Sequence, residues 1–272
     1  MNLKPSKILS IYGVPRSGTS WLGQIIDSSP AVTYKYQPLF SNSFKDRINV
    51  RSTREEIIQF FNELFEYEDD FLDRVKEKQK GIYPIFKVQN NNPDTLAFKM
   101  VRYLYLIPRF LAEFDEIKIL AIVRHPCGHL SSWKNNPMEF MEEWNFEDVW
   151  RFGQSKNEYK PEEYFGFHKW QEATKMFLEM KDRYPDKFYL VKYEDLFKDP
   201  VNESKKIYEF CKLEFHRQTN DFIAESLSKY EDHPSSVFKA NKKVDDWKEN
   251  LEQKIIDKVL NELKGTEFEQ FL

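Results

Sequence analysis

The sequence predicts an α/β fold, a doubly wound and mainly parallel sheet flanked by helices, and three observations carry that expectation. Short apolar runs of strand length alternate with segments of helical period from Lys7 to the C-terminal region. One of them, Ile117 to Val123 (IKILAIV), reads as a fully buried strand. The N-terminal segment KILSIYGVPRSGTSWL joins a short strand to a helix through a glycine-containing loop, the connection from which such sheets are built. No internal repeat or low-complexity linker divides the chain, so residues 1–272 are expected to form one domain.

Each element follows from its own pattern. Ile8 to Tyr12 is the first strand; after Gly13, Pro15 and Gly18, the apolar residues Trp21, Leu22, Ile25 and Ile26 fall at helical spacing. Ser29-Pro30 ends that helix, and Ala31 to Tyr36 forms a second strand that Pro38 stops. Ser52 or Thr53 caps a helix carrying Ile57, Phe60, Phe61 and Leu64. The acidic-then-basic stretch from Glu66 to Lys80 reads as solvated and mobile. Leu96 to Val101 is a strand, and Leu104 to Phe114 a helix whose first turn is limited by Pro108. Ile117 to Val123 ends in Arg124-His125-Pro126, and 137–160 has no firm period. Pro161 opens an amphipathic helix bearing Phe167, Trp170, Ala173, Phe177, Met180 and Tyr184. Phe188 to Tyr193 is the next strand and Val201 to Cys211 the next helix. Trp247, Leu251, Ile255, Val259 and Leu263 line a last helix closed by Gly265.

Composition narrows the function. Hydrophobic residues at 40% and charged residues at 32% describe a soluble globular chain long enough for a sizeable core. A net charge of −4 with scattered basic residues offers no field for nucleic acid. Cys127 and Cys211 are too few for a disulfide framework or a thiolate metal site and suggest a reducing compartment. No run of eighteen apolar residues exists, and the apolar stretch near the N-terminus is too short for a signal. A cytoplasmic protein with no membrane partner is therefore expected. Aromatic residues at 16% imply an aromatic-rich core or an acceptor pocket walled with rings.

The chemistry concentrates in the first loop. Strand, glycine turn and helix start point backbone N–H groups and the positive end of a helix at an anion. Gly13 and Gly18 match the two glycines of the nucleotide-triphosphate loop, but Thr19 stands where that loop has lysine, and the nearest cation is Arg16. At the end of the strand Ile117–Val123, where an ATPase carries an acidic metal ligand, stands Arg124, with Ser132 eight residues on. Side chains rather than Mg²⁺ are thus expected to balance phosphate charge.

At these positions the chain resembles the sulfotransferases that use 3′-phosphoadenosine 5′-phosphosulfate (PAPS). Pro15-Arg16-Ser17-Gly18-Thr19-Ser20-Trp21 is similar throughout to their phosphosulfate loop, and Arg124 with Ser132 matches the spacing of their 3′-phosphate motif. Tyr193-Glu194-Asp195 after a strand, and Lys239 to Lys248 near the C-terminus, resemble two further family segments. The resemblance implies a P-loop-like nucleotide-binding sulfotransferase fold with PAPS as donor, 3′,5′-adenosine bisphosphate (PAP) as product and no metal. It implies that Ser17, Gly18, Thr19 and Ser20 hold the 5′-phosphosulfate, and that Trp21 and Tyr193 lie against adenine. Arg124 and Ser132 would bind the 3′-phosphate, with Lys239, Lys242 and Lys243 closing over it. Arg16 would stabilise charge on the leaving oxygen.

The proton acceptor stays open. Family members carry either Lys-Thr-His on a middle strand or Tyr-Glu-Pro after the second; here the segments are Lys99-Met100-Val101 and Tyr36-Gln37-Pro38. Lys99 is expected to contact the sulfuryl group, Gln37 to orient the acceptor, and His168 is a third candidate. The expected acceptor is a hydroxyl or amine of a saccharide or small hydroxylated molecule. Two rivals stand beside this reading: a nucleotide kinase or ATPase with a degenerate loop, and a catalytically inactive nucleotide-binding relative.

Overall fold

The computed structural model describes residues 2–238, 240 and 243–272. Its centre is a five-stranded sheet of β1 (Lys7–Tyr12), β2 (Val32–Tyr36), β3 (Thr95–Met100), β4 (Ile117–Val123) and β5 (Phe188–Lys192). Every pairing is parallel and the strand order is β2-β3-β1-β4-β5. Parallel strands need crossover connections, and helices supply them on both faces.

Side chains of period two divide the core. Ile8 and Tyr12 of β1, Phe98 and Met100 of β3, and Ile119, Ala121 and Val123 of β4 point to one face. There they meet the helix Arg54–Glu66, whose Phe61 packs on Phe98, Phe110 and Phe114, and the helix Phe167–Arg183. Leu9, Ile11, Ala97, Leu120 and Ile122 point to the other face, under the helix Thr19–Asp27 and the helices Pro200–Cys211 and Arg217–Ser228. Burial on both sides makes each aliphatic side chain worth roughly 1.5–3 kcal/mol, which is why β4 reads as an unbroken apolar run.

Three local expectations are corrected and one helix is added. The long amphipathic helix starts at Phe167, because Gly166 (φ 95) breaks the chain and Asn157 ties 165 down by bonding both its amide and its carbonyl. The last helix is two: Trp247–Asn250 and Gln253–Leu263, with Trp247 turned away to stack on His125 at 4.3 Å. The helix Arg217–Ser228 carries no strong sequence signal and was not anticipated. The stretch from Glu66 to Lys80 is not a solvated run. Asp69 and Asp73 cap its turns, Leu72 is buried, Lys35 pairs with Asp73 at 2.8 Å, and a short helix Val75–Gln79 follows.

A parallel sheet delivers all its strand ends to one edge. Gly13 after β1, Gln37 after β2, Val101 after β3, Arg124 after β4 and Tyr193 after β5 therefore share a rim.

Candidate active site

The loop after β1 is shaped by two glycines. Gly18 caps the helix Thr19–Asp27 with φ +95, and a Cβ there would lie 2.5 Å from the ring of Tyr193. A Cβ on Gly13 would lie 2.7 Å from the Ile122 carbonyl, so the loop can pass close over β4 only without a side chain. Because Gly18 has no side chain to cap the helix, the N–H groups of the first turn are left for a ligand. His129 fastens the loop from behind. Burial, opposed by its bond to the loop, holds this imidazole down to about 4 and so neutral, and Nδ1–H donates to the Pro15 carbonyl at 2.7 Å.

Around the loop lies a cavity whose wall includes Arg16, Lys99, Arg124, Tyr36, Gln37 and Glu139. Arg16, itself at φ 69, donates through Nε to Ser132 Oγ at 3.1 Å and through a terminal nitrogen to the Pro234 carbonyl at 3.2 Å. Arg124 is buried over the Tyr193 ring. Among the described residues its nearest acceptors are the Arg16 carbonyl at 3.4 Å and the Asp246 carboxylate at 3.8 Å, and its Nε has no partner there. Trp170 Nε1–H fixes the Arg124 carbonyl at 2.9 Å. Lys99, on β3, donates to Ser20 Oγ at 3.3 Å, and burial lowers its ammonium from the ordinary lysine range.

Three cations thus converge on one cavity, while Glu139 is its only carboxylate among the described residues, 3.7 Å from Arg16. Buried positive charge without full pairing is costly, and an anion with several oxygens relieves that cost. The orphaned Nε of Arg124 and the free helix amides are the polar groups such a ligand would satisfy.

Most of the expected residues meet here: Pro15, Arg16, Gly18, Thr19, Ser20, Gln37, Lys99, Arg124, Ser132 and Tyr193 line the cavity. Ser17 lies just behind it, fully buried. Trp21 also lines the cavity, at its floor, with its indole N–H bound to Ser226 at 3.0 Å and its ring edge-on to Tyr193 and Phe197. His168 is a correction: it is exposed beside Phe152 and does not line the cavity. Lys243 is exposed near Glu249, and Lys239 and Lys242 lie outside the described residues. Sequence reasoning missed His129, Glu139, Arg74 and the wall segment Pro234–Ser236.

A glycine turn that empties the first helix turn toward a ring of cations, at the carboxyl edge of a parallel sheet, marks a P-loop-like protein built for a polyanionic nucleotide. The sulfotransferase family model matches residues 9–217, and the chain belongs to that family. The mouse sulfotransferase SULT7A1 complexed with PAP shares the fold with TM-score 0.58 at 16% identity, covering 98% of this chain and 88% of that one. Retinol dehydratase in a complex with retinol and PAP is similar at TM-score 0.53 and 15% identity, covering 98% and 84%. The sulfotransferase domain of the Synechococcus PCC 7002 olefin synthase is similar at TM-score 0.51 and 16% identity, covering 95% and 94%. None of the curated protein sequences matches the chain significantly.

Proposed function

We propose that the protein transfers a sulfuryl group from PAPS to a hydroxyl or amine of a saccharide or small-molecule acceptor. The observation that carries this reading is the convergence of Arg16, Lys99 and Arg124 on the open first turn of the helix Thr19–Asp27. PAP in two of the similar structures supports the choice of nucleotide.

Roles follow from position. The amides of Gly18, Thr19 and Ser20, with the Thr19 and Ser20 hydroxyls, hold the 5′-phosphosulfate. Arg124, which lacks a good partner among the described residues, holds the 3′-phosphate, with Ser132 beside it. Lys99 already touches Ser20 and is placed to follow the sulfuryl group as it leaves. Arg16 supplies positive charge where negative charge grows on the departing oxygen; stabilisation confined to the transition state raises turnover. Ser132 holds the Arg16 side chain by its Nε and so sets its position.

The acceptor approaches from the β2–β3 side. There Tyr36 and Phe71 stand edge to face at 5.5 Å, and Phe40 packs on Phe71 beneath the guanidinium of Arg102. This aromatic wall suits an acceptor with an apolar or flat face. Retinol and androsterone, bound by retinol dehydratase in two similar structures, are molecules of that kind.

The test is transfer of radiolabelled sulfate from PAPS into a mixed pool of saccharides and small alcohols, with calorimetry of PAP binding alongside. Transfer together with PAP binding is expected. Binding of MgATP in the absence of any heat with PAP or PAPS would overturn the reading in favour of a kinase or ATPase; PAP binding without transfer to any acceptor would favour an inactive relative.

A further inference from the structure

The cavity wall contains a group that matches neither family position for the proton acceptor. Tyr36 is the last residue of β2, paired in register with Lys99 of β3, and lines the same cavity. Two cations lie over its ring: Lys99 Nζ is 4.3 Å from the ring centroid and Arg74 Cζ 4.2 Å from it. Resting on the sulfuryl-transfer reading, we propose that the phenolic oxygen of Tyr36 is the base that takes the proton of the attacking acceptor hydroxyl.

Strand order decides the side. The donor loop follows β1, Arg124 follows β4 and Tyr193 follows β5, so the nucleotide occupies the β1–β4–β5 part of the rim. In-line displacement then brings the acceptor from the opposite direction, over β3 and β2, where Tyr36 stands. The αL turn at Gln37 (φ 44) and the bond from its amide to the Lys99 carbonyl at 2.9 Å keep the end of β2 against β3.

Among the described residues, the other carboxylate, phenol and imidazole groups considered for the proton are committed elsewhere or out of reach. Glu139 accepts from Asn136 Nδ2 at 2.7 Å and pairs with Arg16, on the Ser132 side of the guanidinium. Tyr193 packs beneath Gly18, and burial raises its phenol. His129 is sealed behind Pro15 and His168 does not line the cavity.

Electrostatics run the same way. Burial works to raise the Tyr36 phenol, but the charges of Lys99 and Arg74, with Gln37 at its side, outweigh it and hold it below the ordinary tyrosine range. Tyr83 and Tyr34, packed nearby, are instead held above that range by burial. The charges facing the ring are Lys99 from β3 and Arg74 from the start of the helix Val75–Gln79. Glu77 sits on Arg74 at 2.9 Å, and the charge of Glu139 acts on Lys99. A phenolate beside the two cations neutralises one of two buried positive charges.

The step balances. An oxygen lone pair of the acceptor forms the new O–S bond as its O–H proton passes to the Tyr36 phenolate. The S–O bond to the 5′-phosphate breaks with its electron pair retained by that phosphate, giving a sulfate monoester, PAP and a neutral phenol.

The test compares wild type with Tyr36→Phe, which keeps the ring and its cation contacts. kcat/KM is expected to fall by about 10²–10⁴-fold, PAP affinity to stay unchanged, and the acid limb of the wild-type pH profile to disappear. Fluorotyrosine at position 36, which lowers the phenol pKa, should move that limb to lower pH in a fully folded protein. The ultraviolet difference titration of wild type against Tyr36→Phe should show one phenol ionising below the ordinary tyrosine range, whether or not an acceptor is known. An acid limb that persists in Tyr36→Phe, or that vanishes only in Glu139→Gln, overturns the proposal, as does a Tyr36 phenol titrating at or above the ordinary value. Wild-type rates in Tyr36→Phe would remove the proposal alone. Loss of PAP binding and transfer in the wild type itself would remove the functional reading beneath it.

Discussion

Replacing Arg124 with alanine separates the two phosphate subsites. The guanidinium is buried, yet its contacts to the Arg16 carbonyl and to Asp246, at 3.4 and 3.8 Å, are at the outer limit of useful hydrogen bonding, and Nε has none among the described residues. Folding therefore loses little when the group is removed, and Asp246 is open enough to water to stand alone. Binding loses much more. A hydrogen bond to a charged group contributes about 1.5–3 kcal/mol, so a two-bond contact with a phosphate is worth about 3–6 kcal/mol. The weak existing contacts must give way first, so the lower end applies, and with 1.4 kcal/mol per tenfold the expected loss is roughly 10²-fold in Kd for PAP. Calorimetry with PAP and with adenosine 5′-phosphosulfate checks this, because only PAP carries the 3′-phosphate. A loss of the same size for both nucleotides refutes the assignment of Arg124 to the 3′-group.

Three further outcomes are expected. Gly18→Ala forces an αL backbone costing about 1–2 kcal/mol and a Cβ into the Tyr193 ring, so the melting temperature and PAP binding should both drop; a wild-type melting curve would contradict the loop geometry. Arg16→Ala should reduce kcat by orders of magnitude while changing PAP affinity far less, and an unchanged kcat removes Arg16 from the chemistry. Asp27 is a buried carboxyl that desolvation, partly opposed by Lys78, pushes up from 3.8 to about 6. A raised acid pKa means the folded state holds its proton longer than the unfolded one, so this group's contribution falls as pH rises from about 4 to 6, by about 3 kcal/mol in all. Asp27→Asn should remove that fall and raise the melting temperature at pH 7 relative to wild type; a lower melting temperature there would show that the ion pair with Lys78 outweighs burial.

What could be read from the chain in advance was local. The loop from Gly13 to Trp21 carries its own conformational signals, and the buried run before Arg124 fixes where that side chain emerges, so their meeting at one rim was legible. The β2–β3 side of the cavity was not, because its groups arrive from elsewhere. Arg74 lies in a run of mixed charge that composition reads as solvent-facing; only folding shows Leu72 anchored and the guanidinium turned over Tyr36. His129 looks like an ordinary helix residue until its ring is seen against the Pro15 carbonyl. His168 flanks an apolar stripe, and period alone cannot tell which edge of a helix faces a site.

The permuted strand order has an evolutionary corollary. On the proposed assignment of the nucleotide to the ends of β1, β4 and β5, with the remaining two strands set to one side, the enzyme would be modular across its own sheet. Drift in the segments that follow β2 and β3 would then retune what is modified and leave untouched the apparatus that delivers the group, so relatives with divergent substrates would need to share little beyond the donor half.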